Sequence, residues 1–338
     1  MLNFINASLT AVTGFVVLVL SPFTYAEYID PIDATAHKSH IATHTLQLDI
    51  TTISSRALTV GERGIVLYSD DQGKNWHQAE VSTSSHLNAL YFANDQFGWA
   101  VGEDKVIIKT SDSGNNWVRQ YDDRNSDLKG PLLDIWFEDE HTGYAVGVYN
   151  SLLKTVDGGK TWVSWQEHIE NLDEWHLFAI AASENNIYIA SESGLIFRSI
   201  NGGQSFSAVN TGHTGSFHGV ITRENADSLD DVLIFGVGGI VMFSRNSGDN
   251  WEYIKMPTTT GLSSGMWLSP DLALFTGADG TLLQLDISSQ KATQVMTEMG
   301  LPLSSVTRVD EERLGLVGLG GIQLFSTELL VQEGSKHE

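Results

Sequence analysis

The sequence predicts an all-β fold: a seven-bladed β-propeller with four antiparallel strands per blade. Three observations carry this. An octet recurs as "SDDQGKNW" (69–76), "TSDSGNNW" (110–117), "TVDGGKTW" (155–162), "SINGGQSF" (199–206) and "SRNSGDNW" (244–251). A second signal, a small residue closing an apolar run, falls at Gly61, Gly102, Gly147, Ser191, Gly236, Gly277 and Gly318, one every 41 to 45 residues. Between these marks lie short apolar runs of strand length, with no helical period. A four-stranded unit of this length repeated seven times is a propeller.

The second unit shows the elements in order. "LNALYF" (87–92), "FGWAVG" (97–102), "VIIKTS" (106–111) and "NWVRQY" (116–121) are strands A to D. Strands A and B are the more apolar, because neighbouring blades cover both faces. The glycine closing strand B is expected to supply positive φ for the B–C turn.

The octet falls between strands C and D as a hairpin turn. Asp71, Asp112 and Asp157, with Asn201 and Asn246 as neutral equivalents, are placed to accept backbone N–H groups of the turn. Gly73, Gly114, Gly159, Gly203 and Gly248 take the left-handed position. Trp76, Trp117, Trp162, Phe206 and Trp251 open strand D and bury their rings between blades. Exchange of Asp for Asn suits a turn acceptor and not a catalytic acid. The octet also has too few oxygens to cage calcium.

The last unit runs out after "GIQLFS" (321–326), with no recognisable strand D. An open sheet edge is a liability. The segment from about Glu27 to Ile32 is therefore expected to supply the outer strand of the last blade. Residues 27–338 then form one domain, expected to be monomeric.

Residues 1–26 read as a signal peptide, with an apolar run at 11–20 and small residues Thr24 and Ala26 at the cleavage positions, although no Lys or Arg precedes the run. The expected compartment is the periplasm or the exterior, without insertion in the membrane after cleavage. The chain has no cysteine and a net charge of −23. Such a charge excludes nucleic acid as a partner, since binding it depends on neutralising phosphates. The charge favours solubility and leaves basic protein surfaces open as partners.

The octets are Asp-boxes, or BNR repeats. With the paired Val-Gly signals, as in "AVGEDKVIIKTSDSGNNWVRQ" (100–120) and "GYAVGVYNSLLKTVDGGKTW" (143–162), the chain resembles the photosystem II stability/assembly factor family, in the form found in non-photosynthetic bacteria. "PLLDIWFEDEHTGYAVG" (131–147), "EWHLFAIA" (174–181) and "GSFHGV" (215–220) fit the same group. The resemblance implies a non-enzymatic, exported module without a cofactor. It would bind or assemble a membrane-protein complex, such as a resistance–nodulation–division (RND) type exporter. Phototroph members hold their client on an arginine-rich surface. Here only nine Arg are scattered from Arg56 to Arg313, and blades six and seven lack the Asp-box.

Of the two propeller faces, the one with the B–C turns and D–A links has the irregular sequence. "WQEHIENLDEW" (165–175) and "NTGHTGSFH" (210–218) mix acids, imidazoles and aromatics, as binding loops do. The candidate binding residues are Trp175, His176, Phe217 and His218, with Glu167, Glu170 and Asp173 as an acidic rim. His86, His176 and His218 fall at the starts of strands A. They are weak candidates for a metal in the axial channel, which Asp134 also reaches; strand capping is the favoured reading and no metal is expected. The alternative function is a sialidase-like glycoside hydrolase. The Arg-Ile-Pro stretch of that family is missing from "ISSRALTVGERG" (53–64), which leaves only Glu62, Glu103 and Glu192 as acids on equivalent turns.

Overall fold

A computed structural model describes residues 28–124, 130–184, 186–295 and 300–331. The expected signal peptide lies outside them. The chain is all-β, and seven sheets follow one another in sequence order around an axis. Strands A of successive blades are spatial neighbours, and strand A of blade 1 (Gln47–Ile53) meets strand A of blade 7 (Leu303–Arg308), which closes the ring.

The strands of blade 2 are Leu87–Phe92, Gly98–Gly102, Ile107–Thr110 and Asn116–Tyr121, as the apolar runs indicated. Strand B is buried along its whole length in this blade, as in blades 3 to 5. Each strand A carries a register shift directly after its first residue, from Gln47/Asp49 in blade 1 to Leu303/Ser305 in blade 7. A bulge adds one residue locally and re-aims the side chains beside it. Here it turns the second and third residues of every strand A toward the axis.

The glycine closing strand B has a different role from the expected one. Gly61, Gly102, Gly236 and Gly277 are extended, with φ of −168°, −170°, 177° and −172°. What excludes a side chain is close approach. A Cβ on Gly102 would lie 1.8 Å from the His86 carbonyl oxygen, and on Gly61 2.2 Å from that of Leu46. In blade 4 Ser191 replaces the glycine and uses the same neighbour, its Oγ donating to the His176 carbonyl at 2.7 Å. Positive φ falls later in the turn, at Arg63 and Gly64 or Asp104 and Lys105.

The five octets are the expected C–D turns. Asp112 Oδ1 accepts the Asn116 N–H at 2.9 Å and its Oδ2 accepts the Asn116 side-chain amide at 2.7 Å. Asn201 and Asn246 accept the equivalent N–H groups of Ser205 and Asn250 through Oδ1 at 3.1 and 3.0 Å. These bonds hold the Asp71 and Asp157 carboxyls down at about 2. The sequence reading missed a further member of the motif, the Ser or Thr two residues before the Asp. Thr110 Oγ1 donates to Asp112 and accepts the Gly114 N–H at 2.9 Å; Ser69, Thr155, Ser199 and Ser244 do the same. Blades 6 and 7, which lack the box, carry Leu285 and Phe325 at that register position. Trp117, Trp162 and Phe206 are buried, while Trp76 and Trp251 are half-buried.

Each box also receives the preceding blade. Trp99 Nε1 and Lys109 Nζ of blade 2 donate to the Gly158 carbonyl of blade 3 at 3.3 and 2.8 Å. Tyr144 of blade 3 donates to the Gly202 and Gly203 carbonyls of blade 4. Arg56 of blade 1 donates to the Ser113 carbonyl, and Arg198 of blade 4 to that of Ser247. Arg313 of blade 7 reaches Gln72 of blade 1 at 3.0 Å.

The last blade corrects the expected ring closure. Among the described residues it has three strands, Leu303–Arg308, Arg313–Gly318 and Gly321–Ser326, and residues 28–32 do not join it. They lie against blade 2 instead. The Pro31 carbonyl accepts the Ser84 N–H at 2.8 Å, the Val81 carbonyl accepts the Ala36 N–H at 3.1 Å, and Asp33 bridges Arg119 and Arg124. This ladder and ion pair draw the segment away from blade 7. Beyond strand C of blade 7 the chain turns into a short helix α1, Glu328–Val331, which buries Leu330 beside Phe325 and Val295.

Candidate binding face around the axial channel

The bulged ends of strands A build a channel mouth, a cavity of about 170 Å³ on the B–C and D–A side. The third residue of each strand A forms one ring: Asp49, Ala89, Asp134, Ala179, Gly219, Ser264 and Ser305. Asp134 Oδ2 accepts the N–H of Ile180 in blade 4 at 2.8 Å. Asp49 accepts the N–H of Leu90 in blade 2 at 3.0 Å and the hydroxyl of Ser305 in blade 7 at 2.8 Å. Burial pushes Asp134 up to about 7, its own two backbone hydrogen bonds opposing the shift and the charge of Asp49 adding to it. Burial likewise pushes Asp49 up to about 6 against its hydrogen bonds. Asp134 thus lies in the channel, as expected, but is committed to joining blades.

The three imidazoles do not converge. His86 and His176 precede their strands A, whereas His218 is the second residue of its strand and faces the channel. His86 is exposed on blade 2 and lines a separate cavity of about 630 Å³ with His37, Glu62 and Glu103. Phe178 stands between the other two, its ring centroid 6.1 Å from His176 and 4.8 Å from His218. Among the described residues no three His, Asp or Glu come together as a metal cage. Burial holds the His218 imidazole below its usual value. Tyr149, on the B–C turn of blade 3, lies 4.9 Å from His176 and completes a file of four rings across blades 3 to 5.

Phe217 does not belong to the exposed face. It is the first residue of strand A, fully buried in the core between blades 4 and 5. Its register partner is Gly236, as Leu87 pairs with Gly102 and Leu177 with Ser191.

The acidic loop is held by a residue the sequence reading did not single out, the buried Asn171. Its Oδ1 accepts the Trp175 N–H at 3.0 Å, and its Nδ2 donates to the Trp175 carbonyl and to Asn150 Oδ1, each at 2.9 Å. Around this knot Leu172 is 98% exposed and Tyr149 48%, while Trp175 and His176 are half-buried. Glu167 and Asp173 are exposed, with Glu174 beside them. Glu170 is structural as well, since its carboxylate accepts the Ala208 N–H at 3.2 Å. His176 Nδ1 lies 3.5 Å from Glu192 Oε2 across the blade. Tyr149 and Leu172 were legible only as turn residues, because nothing in their spacing marks exposure.

The hydrolase alternative gains nothing from this geometry. Eight of the nine arginines are engaged elsewhere: Arg56, Arg198 and Arg313 at blade joints, Arg119 and Arg124 on Asp33, Arg223 on Asp231, and Arg245 and Arg308 on carbonyls of Ile287 and Leu268. Glu62 and Glu103 share the blade 1–2 cavity, and Glu192 is paired with His176 on blade 4.

Ring, boxes and irregular upper face together define a seven-bladed Asp-box propeller of the binding and assembly type. The family model described as photosynthesis system II assembly factor YCF48 matches residues 33–126 and 118–215, over half of the chain, and the chain belongs to that family. Solved structures agree on the fold. A structure of YCF48 bound to D1 peptide superposes with a TM-score of 0.67 at 19% identity, over 84% of this chain and 94% of that one. YCF48 from Cyanidioschyzon merolae gives 0.68 at 14% identity, over 87% and 99%. The WD40 propeller domain of Doa1 gives 0.65 at 13%, over 87% and 95%. Among curated proteins none matches the sequence.

Proposed function

We propose that this chain is an exported, non-enzymatic propeller that binds a membrane-protein client, such as an RND-type exporter subunit, during assembly or operation. The client seat is the blade 3–4 face formed by Tyr149, Leu172, Trp175 and His176. The observation that carries this is Leu172, an aliphatic side chain 98% exposed on a loop that buried Asn171 holds in place. Leaving it in water costs apolar burial that a partner can recover. Interface centres favour apolar and aromatic anchors, with charges at the rim; Glu167, Asp173 and Glu174 supply that rim. A YCF48 structure carries a D1 peptide, which supports a protein segment as the client type. The apolar run at 11–20 and the Thr24-Tyr25-Ala26 stretch support export.

The test is site-specific photo-crosslinking in host membranes. A crosslinker at position 172 or 175 should capture one membrane protein, and Trp175→Ala combined with Leu172→Asp should abolish the adduct made from position 149. Capture from the Asp-box face, at Lys74, with none from the loop would place the client on the opposite side.

A further inference from the structure

Among the described residues six blades pair strand C with a strand D, and the seventh does not. Strand C of blade 7, Gly321–Ser326, has its inner edge on Arg313–Gly318, and among the described residues no strand pairs with its outer edge. Its burial differs accordingly. The residues at the register position of Gln323 in the other blades, Leu67, Ile108, Leu153, Phe197, Met242 and Leu283, are all buried, whereas Gln323 is half-exposed and Leu324 is 38% exposed.

We propose that this edge receives an extended segment of a second polypeptide, which adds antiparallel as the missing fourth strand of blade 7. The polarity of the edge follows from the complete blades. Ile322 stands where Val66, Leu152 and Leu282 stand, and their carbonyls accept N–H groups of Ala79, Trp165 and Val295 on the outer side. Alternation along a strand then directs the N–H and C=O of Leu324 outward as well. Unpaired edge groups are a template for an added strand.

Among the described residues Ala42–His44 lies against the Gly321 end of this strand, and no segment of the chain pairs with its outer edge. The N-terminal stretch is bonded to Val81, Ser84, Arg119 and Arg124 of blades 1 and 2. The chain after Ser326 folds into α1, with Leu330 in the core. The chemistry of the occupant follows from the slot. Leu324 lies against Gly73 of blade 1, and Ile322 packs with Ala42 and half-buried Trp76, so one face of the entering strand meets apolar groups. Exposed Glu311, Glu312 and Glu328 gather at the Ser326 end, where an antiparallel strand begins. The occupant is a strand that places a basic residue beside Ser326 and an apolar side chain beside Ile322, as Lys291 and Val295 stand beside Asp286 and Leu282 in blade 6.

Hydrogen exchange on the full chain tests this, with a synthetic peptide copying residues 288–295, "SSQKATQV", as the probe. In the free protein the Leu324 amide should exchange about 100-fold faster than that of Arg198, which pairs with Ser207. Saturating peptide should slow it about tenfold or more, and a peptide with Lys291→Glu should bind more weakly. Leu324→Pro should abolish binding of the labelled peptide. A peptide N-methylated at Lys291 and Thr293 should fail on the unaltered protein, whatever the folding of the Pro variant. A Leu324 amide as slow as that of Arg198 without peptide would mean that the chain fills its own edge, and would overturn the proposal. So would a fast amide that the peptide leaves unchanged, or an N-methylated peptide that binds equally well.

Discussion

The Asp134 carboxylate on the innermost strand of blade 3 accepts the backbone N–H of Ile180 on blade 4 at 2.8 Å. Asp49 makes the same bond from blade 1 to Leu90 of blade 2. With the Ser305 hydroxyl of blade 7 also on Asp49, three of the seven blade joints facing the channel are closed by carboxyls whose titration burial raises above the usual range.

The first prediction is a pH dependence with a defined sign. Asp134 and Asp49 titrate at about 7 and about 6 in the folded chain, above an ordinary value near 3.8–4 when unfolded. The folded state therefore binds more protons between these limits, and stability falls as pH rises from about 4 through about 7. Asp71 and Asp157, held at about 2, act oppositely and lose their contribution as pH falls below about 4. The melting temperature should peak at mildly acidic pH. Asp134→Asn keeps an acceptor for Ile180 and should flatten the alkaline side. A melting temperature rising steadily from pH 4 to 8 would contradict this assignment.

A second prediction separates the members of the Asp-box. Asp112→Asn should change the melting temperature little, because Asn201 and Asn246 already fill this role. Thr110→Val orphans the buried Gly114 N–H and should cost about 1–3 kcal/mol. Trp117→Ala should cost about 3–5 kcal/mol in denaturant titration, and Trp76→Ala clearly less, since that ring is half-buried.

The third contrasts two aromatics that the sequence placed on one face and the structure separates, Phe217 in the core and Trp175 on the loop. Phe217→Ala opens a cavity in the blade 4–5 core and should cost about 3–5 kcal/mol. Trp175→Ala and Leu172→Ala should leave the melting temperature nearly unchanged while reducing client crosslinking. Equal destabilisation by all three would remove the case for an exposed binding loop.

Charge at the rim gives the fourth. Glu167→Gln, Asp173→Asn and Glu174→Gln together should slow client association and flatten its salt dependence, with little change in dissociation. Glu170 is left out because its carboxylate holds the Ala208 N–H.

A fifth concerns processing: N-terminal sequencing of the exported protein should begin at Glu27. Intact Met1 on cytoplasmic protein would refute export.

The blades were legible because two signals recur in register. Strand length, Asp-box role and ring size follow from local sequence, and blade 2 matches its apolar runs nearly residue for residue. What was not legible depends on contacts between distant segments. Phe217 looked like a loop aromatic because its flanks are polar; counting two residues back from the bulged Gly219 would have placed it beside Leu87 and Leu177 in the core. The N-terminal segment binds blade 2 through Asp33 and two arginines more than 80 residues away, a pairing no spacing reveals. The glycines of strand B were seen, but a carbonyl 1.8 Å from an imagined Cβ exists only after folding.

Five of the seven blade joints have a box on the receiving side, and the joints on either side of blade 6 do not. In a ring where each unit touches only its neighbours, cooperativity is a product of joint strengths, and a single weak seam decides where it breaks. Blades 1 to 5 are therefore expected to form one arc joined box by box, while blade 6 is held to its neighbours by apolar packing without that hydrogen-bonded joint. Opening there would lie beside the blade whose strand C has no outer partner among the described residues.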